Sequence, residues 1–141
     1  MSKNNATATW KGSLKEGKGA MKMNAINEEL PYTFSSRFED GKGTNPEELI
    51  AAAHAGCFSM ALSGLLSEKG YKPNFISTKA EVVMEKSGSG FRIGESNLTA
   101  KAEVPGIDED LFMKLANDAK ANCPVSKALS SVSVNLNIKL L

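Results

Sequence analysis

The sequence predicts an α+β fold, and three stretches carry that prediction. The C-terminal residues alternate, with Val132, Val134, Leu136, Ile138 and Leu140 facing one way between polar neighbours, the period of a half-buried strand. Two extended runs, Ile76 to Glu85 and Phe91 to Val104, flank Ser87-Gly88-Ser89-Gly90 and read as a hairpin. Leu49 to Leu66 is a run of 18 residues with no formal charge, 13 of them apolar, too long for a strand and long enough for a central helix.

The elements follow in order. Strand character lies around Ala6 to Trp10 and again from Gly19 to Met23, with Gly and Lys at the bend between them. Leu30 to Phe38 reads as a short extended piece, and Asp40 to Thr44 as a Gly-rich loop. Thr44 or Asn45 can cap the next helix, Pro46 suits its first turn, and Glu47 and Glu48 complement the positive end of its dipole. The uncharged run that follows meets the lower length limit of a membrane span, but its alanines, glycines and serines make it weakly hydrophobic and Glu47, Glu48 and Glu68 bracket it. A helix apolar all round is then one that protein covers on all sides. Beyond the hairpin, Pro105-Gly106 turns the chain and Asp108-Glu109-Asp110 opens a second helix, with Leu111, Leu115 and Ala119 at i, i+4 spacing. It stops near Asn122, because the residue before Pro124 avoids the helical region, and Pro124 starts a short helix through Leu129. The order β-β-(β)-α-β-β-α-α-β is one of hairpins rather than βαβ crossovers. One chain has too little surface to cover both its sheets and its central helix, which points to an intimate homodimer.

Composition narrows the function. A mass of 15.0 kDa fits one domain over residues 1–141. Such a domain buries roughly two-thirds of its unfolded surface and folds without a disulfide or metal. With 41% apolar and 23% charged residues the chain is globular, and 17 Lys+Arg against 16 Asp+Glu give a net charge of +1. That near-neutrality argues against nucleic-acid or membrane-surface binding. The N-terminus offers no apolar core for a signal peptide, so the expected compartment is the cytoplasm. There, two thiols are either small buried hydrophobes or a working redox pair.

Chemistry therefore centres on Cys57 and Cys123. Cys57 lies in the middle of the uncharged helix, where a free cysteine is first a core residue. Cys123 immediately precedes Pro124 at a helix start, where a thiolate is stabilised, although a buried junction thiol fits as well. Only Arg37 and Arg92 are arginines among the basic residues, and Arg37 stands between Phe34 and Phe38. A cation beside a cysteine in an apolar pocket lowers the thiol pKa, whereas a surface ion pair is the plainer reading from spacing alone. His54 and Cys57, three apart, are a poor metal pair without a third ligand on that face. Gly41-Lys42-Gly43-Thr44 lacks the residue order of a phosphate loop.

The run Arg37-Phe38-Glu39, then Gly43-Thr44-Asn45-Pro46-Glu47-Glu48 through His54-Ala55-Gly56-Cys57-Phe58-Ser59-Met60-Ala61-Leu62, resembles the osmotically inducible protein C branch of the OsmC/Ohr hydroperoxide reductases. Cys123-Pro124-Val125-Ser126 resembles the family's second cysteine motif, and Pro105-Gly106-Ile107 and Trp10-Lys11-Gly12 fit the same branch. Gly56 departs from the alanine more frequent in close relatives. The resemblance implies two intertwined subunits whose antiparallel sheets wrap central buried helices. It implies thiol-based reduction of organic hydroperoxides in preference to hydrogen peroxide, without a cofactor and with a dithiol or lipoyl-type reductant. Under it, Cys57 is the peroxidatic cysteine, Cys123 the resolving one, and Arg37 and Glu47 orient and activate the thiolate. The apolar substrate lining is expected from Phe58, Met60 and their neighbours. Glu47 and Cys57, ten residues apart, are separated by about 15 Å along a straight helix. Glu47 is therefore expected to hold Arg37 across the dimer interface, near the other subunit's Cys57. A redox sensor without turnover, and a small-ligand-binding stress protein with two core cysteines, are the alternatives.

Overall fold

The computed structural model describes residues 1–141. In chain order the elements are β1 (Ala6–Lys11), β2 (Lys18–Met23), β3 (Leu30–Tyr32), α1 (Phe34–Phe38), α2 (Pro46–Glu68), β4 (Phe75–Ser87), β5 (Gly90–Glu103), α3 (Glu109–Asn122), α4 (Pro124–Ala128) and β6 (Ser133–Leu140). They form two three-stranded sheets, β1-β2-β3 and β4-β5-β6. The chain divides into two compact units, Met1–Leu49 and Ile50–Leu141.

In the first unit, β2 pairs antiparallel with both neighbours, so Gly19 sits directly between Trp10 of β1 and Tyr32 of β3. The missing side chain lets the two rings close over it, with centroids 5.3 Å apart. A Cβ at Gly19 would lie 2.5 Å from an atom of each ring. The extended reading of Leu30 to Phe38 holds only through Tyr32. Thr33 ends the strand and caps α1, its Oγ1 accepting from the Ser36 N–H at 3.0 Å while Ser36 Oγ accepts from the Thr33 N–H at 2.8 Å. This reciprocal box stabilises a helical turn too short to show a 3.6-residue period. Asn45 Oδ1 accepts from the Glu48 N–H at 2.8 Å and caps α2, as one of the two expected caps.

In the second unit, His54, Phe58, Leu62 and Leu66, four residues apart along α2, are fully buried. The three apolar ones join a core with Leu98, Ala100 and Ala102 of β5 and Phe112, Leu115, Ala116 and Ala119 of α3. The hairpin of β4 and β5 closes through Gly88 at φ 60° and Ser89. β6, by contrast, pairs parallel to β5, from Glu95↔Ser133 to Ala102↔Leu140. The expectation of purely antiparallel hairpins is corrected here. The chain leaves β5, crosses through α3 and α4, and re-enters beside β5 in the same direction, as a crossover requires. Strand alternation alone carries no information on that direction.

The single chain does not supply the cover expected on all sides of α2. The helix is long and apolar enough to cross a membrane by length and composition, and only 22% of its most apolar window is buried. Met60 is 80% exposed, and a Cβ added at Gly56 or Gly64 would have no neighbour within 4 Å.

Candidate active site

The two cysteines converge inside the second unit. Cys57, half-buried on α2, meets Cys123, which is fully buried at the joint between α3 and α4. The backbone fixes Cys123 from both sides. Its N–H donates to Ala119 O at 3.0 Å, closing α3, and its carbonyl accepts from the Lys127 N–H at 3.0 Å, opening α4. Between them φ −55° and ψ 126° give the extended conformation that a following proline imposes.

Burial pushes the Cys57 thiol above its ordinary value, because the thiolate loses hydration, and a hydrogen bond with the Cys123 thiol pushes it further the same way. The Val125 N–H, in the first turn of α4, donates to Cys57 and opposes both. The arrangement is one thiol with a second thiol as its neighbour and one amide donor aimed at its sulfur.

Beside this pair His54 is wholly buried, and both its ring nitrogens are engaged. Nδ1 lies 2.7 Å from Ser96 Oγ on β5, and Nε2 lies 2.8 Å from Ser126 Oγ on α4. Burial pulls its pKa down, so the ring is neutral at neutral pH. A neutral imidazole donates through one nitrogen and accepts at the other, so one serine accepts and the other donates. No group of three or more His, Cys, Asp or Glu residues is placed to hold a metal ion.

The first unit builds the other expected pair. Arg37 on α1 donates from Nε to Glu47 Oε1 at 2.9 Å, and its second nitrogen reaches the same oxygen at 2.9 Å. The guanidinium also lies over the Phe38 ring, 5.2 Å from its centroid. Glu47 is buried, and its other oxygen, Oε2, has no partner. This pair forms within one chain. The first turn of α2 faces α1 across the short loop that Gly43, at φ 115°, allows.

Arg37 also borders a cavity of about 210 Å³ lined by Trp10, Leu14, Tyr32, Thr33, Phe34 and Phe38. Of the residues expected to line the substrate, Phe58 is sealed in the core and Met60 stands exposed. Sequence reasoning also missed the Val125 amide, which has no side-chain signature, and the two serines of His54. The one available signal was Ser126, three residues after Cys123 as His54 is three before Cys57.

Residues 39–139 match the family model described as OsmC-like protein. Peroxiredoxin OsmC of Escherichia coli (strain K12) is 48% identical over 125 residues, covering 88% of this chain and 87% of that protein. Organic hydroperoxide resistance protein OhrB of Bacillus subtilis (strain 168) is 33% identical over 107 residues, 74% of this chain and 76% of that one. The crystal structure of Bacillus subtilis OhrB superposes with a TM-score of 0.71 at 28% identity, covering 96% of this chain and 98% of that one. The OsmC-like protein VCA0330 of Vibrio cholerae reaches a TM-score of 0.78 at 17% identity, a likeness of fold alone.

Proposed function

The chain belongs to the OsmC-like family, and we propose that Cys57 and Cys123 carry its activity as the peroxidatic and resolving cysteines of a thiol-dependent hydroperoxide reductase. The observation that carries this reading is the hydrogen bond between the two thiols, with the Val125 amide aimed at one of them. The Cys57 thiolate attacks the distal oxygen of an organic hydroperoxide, the O–O bond breaks, and the alkoxide leaves as an alcohol after taking a proton. Cys57 is then a sulfenic acid. Cys123 attacks that sulfur, releasing water and forming a disulfide. A dithiol of lipoyl type reduces it by exchange. The chemistry needs no cofactor.

Burial works against the thiolate, so a cation is required. Arg37 is proposed for that role, held by Glu47 and by the Phe38 ring, and delivered to Cys57 of the other subunit in a homodimer. The open face of α2, with Met60, Gly56 and Gly64, favours a second copy as its cover. The aromatic cavity beside Arg37 suits the hydrocarbon part of an organic hydroperoxide better than small, hydrated hydrogen peroxide. With α2 so covered the protein is expected to be soluble and cytoplasmic, with neither a membrane nor nucleic acid as partner.

The test is peroxide consumption with dithiothreitol, comparing cumene hydroperoxide with hydrogen peroxide. Fast loss of the organic peroxide, abolished in Cys57→Ser and single-turnover in Cys123→Ser under limiting reductant, is the expected result. Loss of both thiols without turnover would make the protein a sensor and overturn the enzyme.

A further inference from the structure

The buried imidazole of His54 has no part in the chemistry described above, yet it bridges the elements that bring the cysteines together. On α2 it lies three residues before Cys57, and its Nε2 partner, Ser126, lies three residues after Cys123 on α4. Its Nδ1 partner, Ser96, anchors the ring to the middle of the second sheet. Both serines are buried, Ser96 completely, so neither bond competes with bulk water.

α4 has only five residues and no side-chain cap at Cys123. Its tie to α2 through Ser126 and His54 therefore helps set where the Cys123 thiol and the Val125 N–H sit relative to Cys57. We propose that His54, with Ser96 and Ser126, is a positioning residue that holds Cys123 and the Val125 amide against Cys57, and so favours disulfide formation over further oxidation. The inference rests on the peroxidase reading above. Two reactions compete for the oxidised sulfur. In one, Cys57 sulfenic acid and the Cys123 thiol give the disulfide and water. In the other, the sulfenate takes an oxygen from a second hydroperoxide, giving a sulfinate and an alcohol. The first depends on the position of α4 and the second does not.

The experiment titrates the native protein, Ser126→Ala, Ser126→Thr, Ser96→Ala and His54→Phe with cumene hydroperoxide in the absence of reductant. Mass spectrometry reads disulfide against sulfinic acid at Cys57, and circular dichroism establishes that each variant is folded. Ser126→Ala and His54→Phe are expected to raise the ratio of sulfinic acid to disulfide by roughly three- to tenfold, the scale of one buried hydrogen bond. Ser126→Thr, which keeps the hydroxyl, is expected to restore the native ratio. Ser96→Ala leaves the tie to α4 in place and is expected to fall between. A native ratio in folded Ser126→Ala or folded His54→Phe overturns the proposal, and if either variant does not fold the other decides. Native protein that keeps both thiols under peroxide would instead refute the peroxidase reading itself.

Discussion

Replacing Arg37 by methionine tests the proposal that its charge activates the Cys57 thiol. A thiol at the reference value of 9.0 is about 1% thiolate at pH 7, two tenfold steps below its midpoint. Cys57 starts lower still, because burial and the Cys123 thiol both disfavour its charge and the Val125 amide alone opposes them. An opposite charge within about 4–6 Å lowers a pKa by about 1–3 units, each unit amounting to about 1.4 kcal/mol between protonation states. Arg37→Met keeps an unbranched apolar stem at that position and removes the charge. Measured in a Cys123→Ser background, so that one thiol titrates, the Cys57 midpoint is expected to rise by about 1–3 units. Alkylation of Cys57 by iodoacetamide at pH 7, followed by mass spectrometry of its peptide, should slow by about ten- to a thousandfold. Glu47→Gln leaves the guanidinium charged but less firmly held, and should shift the midpoint in the same direction by less. An unchanged midpoint in Arg37→Met would remove Arg37 from the mechanism, whatever its effect on turnover.

Two further outcomes follow from burial. Burial lowers the His54 pKa below its reference of 6.5, so below that pH the unfolded chain takes up a proton that the folded chain refuses. This contribution to stability is complete above pH 6.5 and is lost as the pH falls toward the folded pKa, at up to about 1.4 kcal/mol per pH unit. Urea midpoints at pH 7.5 and 5.5 should therefore converge in His54→Phe relative to native protein, and parallel losses in both would reject it. Gly56→Ala has open space for its methyl group in one chain and should raise the stability of a lone subunit by about 0.5–1 kcal/mol. A fall in the dimerisation constant by sedimentation would place a second copy against Gly56, and an unchanged constant would place it elsewhere.

Where a period or a cap is local, the sequence sufficed. The alternation in β6, the Gly88-Ser89 turn, the opening of α3 at Asp108-Glu109-Asp110 and the break at Pro124 all depend on residues within a few positions of each other. The direction of β6 was not legible, because alternation is the same read toward either end. Nor was α1, since five residues give no period and its cue was a Thr-x-x-Ser box inside a stretch that otherwise reads as strand. The site divides in the same way. Cys57, Cys123 and Arg37 stand out as candidates by residue type, and Glu47 only through the family resemblance. Ser96 and the Val125 amide do not, because only tertiary packing makes a common polar group the partner of a buried ring or sulfur.

The packing also explains how a helix with so little charge serves the chemistry. A helix amphipathic in the ordinary sense would place Cys57 either in a dry core, where its thiolate is inaccessible to peroxide, or in water, where Cys123 could not be held dry beside it. α2 avoids both extremes. Its His54-Phe58-Leu62-Leu66 stripe is sealed in the core, its Met60 side is open, and Cys57 lies between them at half exposure. One side of the sulfur then meets the fully buried Cys123 thiol, while the other stays open to whatever covers the helix. The raised pKa is the cost of that border position. On the proposal made above for Arg37, a cation from a second subunit would offset it only once the open face is covered, tying assembly and activation to the same surface. Dilution below the dimerisation constant should then lower the Cys57 alkylation rate at pH 7 toward that of Arg37→Met, and a rate independent of concentration across dissociation would break the link.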